Sequence, residues 1–104
     1  MYDIRYLTVA HAIALYDEAM KLSGQAPAPL VREGDLERAL HHPRNLAWYE
    51  GADLAEQAVD LALELALAHA WVDGNKRIAV FCFRVFLHLN GVRIPDGGDY
   101  LAFA

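Results

Sequence analysis

The chain has 104 residues, 56% of them hydrophobic and 11% aromatic, and 14 acidic side chains against nine Lys and Arg leave a formal net charge of −5. That length supports one domain around one core, and this hydrophobic content excludes a disordered chain. The acidic balance argues against nucleic acid as a direct partner, a single cysteine excludes a disulfide framework or thiolate metal site, and no run reaches the ~20 apolar residues of a membrane span.

The first residues, with Asp3 and Arg5 among them, lack the apolar core of a signal peptide, so a cytoplasmic protein is expected. Val9, Ile13, Tyr16 and Met20 step by four, three and four, which predicts an amphipathic helix capped by Thr8 and ended by Ser23-Gly24. Residues 25–31 carry Pro27 and Pro29 and read as an extended connection. A short second helix is expected from Asp35 to His42, with Leu36, Ala39 and Leu40 inward and Pro43 just past its end. The stretch from Arg44 to Gly51 then reads as a connection carrying two aromatics, Trp48 and Tyr49.

A third helix is expected to start at Asp53, where Glu56 completes a capping box. Leu54, Ala58, Leu61, Leu65 and Ala68 form its apolar stripe, which Leu63 and Leu67 widen, while Asp53, Glu56, Asp60 and Glu64 form a solvated face. The fourth helix runs from Gly74 or Asn75 to Asn90-Gly91, with Ile78, Cys82, Val85, Phe86 and Leu89 inward. Cys82 lies among apolar residues and reads as a buried, inert thiol. The fold class is therefore all-α, a small bundle in which one loop joins two central antiparallel helices.

That loop, from His69 through Ala70, Trp71, Val72, Asp73, Gly74, Asn75 and Lys76 to Arg77, concentrates the chemistry of the chain. Lys76 and Arg77 fall in the first turn of a helix, whose exposed N–H groups already make the local charge positive. Two cations there call for an anion, and a helix N-terminus preceded by glycine is a good phosphate site. His69 supplies a candidate base, and Asp73 is either the helix N-cap or a ligand for a divalent metal riding with phosphates. Asn75 either shapes the turn or holds a phosphate oxygen, Arg77 offers its donor fork to phosphate oxygens or pairs with Asp73, and Trp71 anchors the loop in the core. Phosphoryl or nucleotidyl transfer is the chemistry this set suggests. His11, His41, His42 and His88 show no ligand-like spacing and receive no metal role; Arg84 reads as a surface arginine.

The stretch resembles the signature of the Fic/Doc family, His-x-Phe-x-(Asp or Glu)-(Gly or Ala)-Asn-(Gly or Lys)-Arg, with Trp71 in the aromatic slot. The segment from Leu30 to Leu40, followed by Pro43, resembles the same family upstream of its motif, so the likeness covers most of residues 7 to 94. Fic-type adenylyltransferases carry glycine where this chain has Lys76, and usually a second arginine where it has Val80; both departures resemble the Doc branch. The resemblance implies a compact Fic/Doc-like bundle and a Doc-like toxin kinase that moves the γ-phosphate of ATP to a threonine hydroxyl of a protein such as elongation factor Tu, arresting translation. It implies His69 as general base, Arg77 as transition-state stabiliser, Asp73 as Mg²⁺ ligand, Gly74, Asn75, Lys76 and Arg77 as the phosphate site, and Trp48 and Tyr49 as a candidate target groove. It also implies restraint by a separate antitoxin segment laid in a groove.

Protein adenylylation is the nearest alternative; a non-enzymatic interaction module that retains the motif and a small-molecule phosphotransferase are the others. Residues 1–104 read as a single domain that lacks the further helix usual after the motif helix of Doc proteins. Pro95 to Ala104 reads as a turn with a short apolar end, and the surface left open is a candidate for self-association or a partner.

Overall fold

The computed structural model describes residues 3–94; the tail beyond Ile94 and the reading of it as a turn lie outside the described residues. Helix α1 (Val9–Leu22) begins with the Thr8 hydroxyl accepting from the His11 N–H at 3.1 Å while His11 Nδ1 accepts from the Thr8 N–H, so the two residues cap each other. Helix α2 spans Glu33–Glu50, α3 Leu54–Ala68 and α4 Asn75–Leu89, and the described residues contain one isolated antiparallel bridge, Leu30 with Trp71, and no sheet. None of these helices is long and apolar enough to cross a membrane.

The core is built where the four helices face one another. Tyr16 and Met20 of α1, Leu36 and Ala39 of α2, Ala58, Leu61 and Leu65 of α3, and Ile78, Cys82 and Phe86 of α4 are all at most 2% exposed. Helix α3 packs on both α2 and α4, which makes it the central element the apolar stripe predicts. Its Asp53 cap accepts from the Glu56 N–H at 2.8 Å and Glu56 returns the bond to the Asp53 N–H at 2.9 Å, as the spacing predicts.

Three expectations are corrected here. The second helix does not stop at Pro43: it continues to Glu50 and closes on Gly51, whose left-handed φ of 69° lets its N–H reach the Ala47 carbonyl. Proline removes one helical donor, yet Leu36, Ala39, Leu40 and Pro43 form one buried face with half-buried Leu46 and Ala47 beyond it, and packing of that face outweighs the local penalty. Leu63 and Leu67 do not widen the core stripe; they are 56% and 69% exposed, because α3 turns Gln57, Ala58, Leu61 and Leu65 inward and presents the opposite side to solvent. Leu89 is likewise on the outside, at the last turn of α4.

The solvated acidic face of α3 is also less solvated than its charge suggests. Asp60 is largely covered, and its Oδ2 lies 2.7 Å from His42 Nδ1 on α2, with Glu64 Oε2 4.0 Å from the same nitrogen. His42 therefore has the carboxylate neighbours that sequence spacing does not reveal, and it ties α2 to α3. The hydrogen bond that the Asp60 carboxylate accepts, and the charges of Asp60, Glu64 and Glu50, raise the His42 pKa against a smaller opposing effect of burial.

Candidate active site

The residues from His69 to Arg77 leave α3 and enter α4 through a loop whose main chain is held from three directions. His69 ends α3 in the left-handed region, at φ 48° and ψ 45°, a conformation uncommon for a residue with a Cβ. Beyond it the extended segment Pro29–Arg32 lies antiparallel to the loop. The Val31 and Arg32 N–H groups both donate to the Ala70 carbonyl, at 2.8 and 3.0 Å, and the Val72 N–H donates to the Pro29 carbonyl at 3.0 Å. The prolines that exclude helix from residues 25–31 thus leave an extended strand to brace the loop.

From within, Trp71 is buried and stacks face to face on Tyr16, ring centroids 4.3 Å apart and planes within 9°. The Tyr16 hydroxyl accepts from the Ala28 N–H and donates to the Asp73 carbonyl, both at 2.9 Å, joining α1, the extended segment and the loop through one fully buried side chain. Sequence periodicity places Tyr16 in the core of α1, but nothing in it signals the role of its hydroxyl.

From α4, the Asn75 amide bridges back to Trp71: Nδ2 donates to the Trp71 carbonyl at 2.7 Å and Oδ1 accepts its N–H at 3.1 Å. The turn-shaping reading of Asn75 is the one this geometry displays, with one amide hydrogen left over. Asp73 is not the N-cap of α4. Gly74 occupies that position at φ 80°, and no side chain caps this helix. Glycine is required there twice over, by the left-handed φ and because an added Cβ would meet Met20 Sδ at 2.8 Å and Tyr16 Cε1 at 3.2 Å.

The remaining motif side chains are presented outward. His69, Asp73 and Lys76 are exposed, and Arg77, half-buried, reaches toward the end of α1, with Nη1 3.4 Å from Gln25 Oε1 and 3.7 Å from Met20 Sδ. The end of the bundle thus carries an imidazole, a carboxylate not used as a cap, two cations and a helix N-terminus whose leading N–H groups have no side-chain cap. That donor set fits a polyphosphate with a divalent cation, the carboxylate facing the metal and the cations and N–H groups facing phosphate oxygens.

Trp48 and Tyr49 do not join this site. They sit in the last turn of α2 beside Gly51, 81% and 79% exposed. Because α2 starts at the motif loop and α3 runs back toward it from Asp53, the two aromatics lie at the opposite end of the helix pair. Arg32, absent from the sequence-predicted site, is in contact with it: its Nη1 donates to the His69 carbonyl at 2.8 Å.

Residues 6–87 match the family model described as the Fic/DOC family. No curated protein matches the chain.

Proposed function

The chain belongs to the Fic/DOC family, a family of transferases, and on that premise we propose that it is a Doc-like kinase toxin. In this reading His69 takes the proton from a hydroxyl, a threonine in the proposed target elongation factor Tu, and that oxygen bonds to the γ-phosphorus of ATP as the bond from that phosphorus to the bridging oxygen breaks and ADP leaves. Asp73 would hold Mg²⁺, which would neutralise phosphate charge when bound. Lys76, Arg77 and the N–H groups at the start of α4 bind phosphate oxygens, with the spare Asn75 amide hydrogen available beside them, and Arg77 stabilises the charge that develops in transfer.

The observation that carries the kinase reading is Lys76, an exposed cation in the first turn of α4 where the adenylylating branch has glycine. A lysine there fills the space that branch leaves for the nucleotide's α- and β-phosphates, and Val80 in place of a second arginine supports the same assignment. The reading further assigns control to an antitoxin whose inhibitory segment occupies a groove of the bundle, in a cytoplasmic setting; self-association is a second proposed contact.

The test is intact-mass spectrometry of elongation factor Tu after incubation with this protein, ATP and Mg²⁺, with His69→Ala in parallel. A gain of about 80 Da that disappears in the variant supports phosphoryl transfer. A gain of about 329 Da means adenylyl transfer and overturns the kinase assignment. No gain, together with no thermal stabilisation by ATP and Mg²⁺, leaves the interaction-module reading in its place.

A further inference from the structure

The main-chain pairing that braces the motif loop ends at Ala70, one residue short of His69. His69 is nevertheless held in the left-handed conformation, at φ 48°, and its carbonyl receives the Arg32 guanidinium at 2.8 Å. That carbonyl belongs to the C-cap of α3, at the negative end of a helix dipole, so a cation there is favourable.

The same arginine is poorly placed for its own helix. Arg32 is the N-cap of α2, makes no side-chain cap bond there, and brings a positive charge to the positive end of that dipole, beside which Glu33 and Asp35 supply the compensating charge. Its main-chain N–H donates to Ala70 and its side chain donates to His69, so one residue grips two consecutive carbonyls of the loop. Lysine, with one compact ammonium, can replace the second contact, whereas alanine leaves the His69 carbonyl without it.

We infer that Arg32 is a positioning residue for His69, its guanidinium fixing the left-handed turn that aims the imidazole at the end of the bundle. A base displaced by about 1 Å from its substrate loses about 100-fold in rate while binding is little affected. The inference rests on the reading of His69 as the general base only for its kinetic consequence; the conformational claim stands on the geometry alone.

The experiment compares the full chain with Arg32→Ala and Arg32→Lys, each checked for folding by its thermal transition. NMR reads the His69 backbone directly through its Cα and Cβ shifts and its amide coupling. The expected result is a His69 signature that leaves the left-handed region in Arg32→Ala and returns in Arg32→Lys. Transfer assays in the same samples should show kcat lower by about 10- to 100-fold in Arg32→Ala with KM within about two-fold, and recovery in Arg32→Lys. An unchanged His69 signature in a folded Arg32→Ala overturns the inference, as does an unchanged kcat where the wild type transfers. If the wild type transfers nothing to any target, the kinase reading fails while the NMR comparison still decides the role of Arg32.

Discussion

The Tyr16 hydroxyl donates to the Asp73 carbonyl at 2.9 Å, across 57 positions of sequence, and in doing so fixes the backbone from which the proposed metal ligand projects. The bond is part-buried, and its donor belongs to a buried side chain held in place by its stack on Trp71.

Tyr16→Phe keeps the stack and removes both hydrogen bonds of the hydroxyl, to Asp73 and from Ala28. Both bonds are part-buried, so leaving this carbonyl and N–H without their partner costs about 1 kcal/mol, the low end of the penalty for buried groups. Urea unfolding should show a lower midpoint at unchanged slope, and amide exchange should accelerate at Ala28, whose N–H loses its acceptor. A midpoint equal to wild type would show that the hydroxyl contributes no net stability.

Gly74→Ala meets two penalties at once. A left-handed φ costs a residue with a Cβ roughly 1–2 kcal/mol, and the new methyl enters the space held by Met20 Sδ and Tyr16. The thermal transition should fall by several degrees. Since the displaced groups lie under the motif loop, transfer activity should fall by more than the folded fraction does. Gly51→Ala, which has the same sign of φ and open space around it, should cost only the backbone penalty.

His42 gives stability a defined dependence on pH. Its folded-state pKa is raised, chiefly by its hydrogen bond to the Asp60 carboxylate, so the folded protein binds that proton more tightly than the unfolded chain. The stabilisation is complete below the unfolded pKa of about 6.5 and is lost as pH rises through the higher folded value. Denaturation at a series of pH values above about 6 should show this decline, and Asp60→Asn should flatten it. A wild-type profile as flat as that of Asp60→Asn would contradict the ion pair.

Cys82 is completely buried, and burial pushes its thiol up to about 12. The thiolate that attacks alkylating reagents is therefore scarce in the folded state and shielded where it exists. Labelling with iodoacetamide should follow the unfolding equilibrium, becoming fast only in denaturant. Rapid stoichiometric labelling of the native protein would show that α4 opens locally around this residue.

The sequence makes the helix starts at Thr8 and Asp53 legible because each cap is a local pattern with a local partner. It makes the motif loop legible because the unusual residues are consecutive. It hides the end of α2, where Pro43 signals a stop that packing of the Leu36–Pro43 face overrides. It hides the exposure of Leu63 and Leu67, since an alanine- and leucine-rich helix is apolar on more sides than it buries, and periodicity alone does not choose among them.

The proposed site shows the same division. His69, Asp73, Lys76 and Arg77 stand out by type and spacing. The residues that hold them, Tyr16, Arg32 and the Pro29 carbonyl, lie 37 to 57 positions from their partners in sequence and carry no mark of that role. Of the two roles open to Asp73, that of N-cap falls because Gly74 takes the capping position through its backbone angle, which composition does not distinguish from an ordinary turn.

The brace between Pro29–Arg32 and Ala70–Val72 also makes the motif loop depend on contacts distant in sequence. Helical hairpins such as α3 and α4 close from near neighbours and form early, whereas contacts spanning some 40 residues carry a larger loop-closure cost. A fragment holding only the motif and its two flanking helices lacks Tyr16, Ala28 and Arg32 altogether. A chain clipped after Arg32 thus has a motif loop without its brace even when both central helices are in place, and the N-terminal segment acts as the template on which that loop is held.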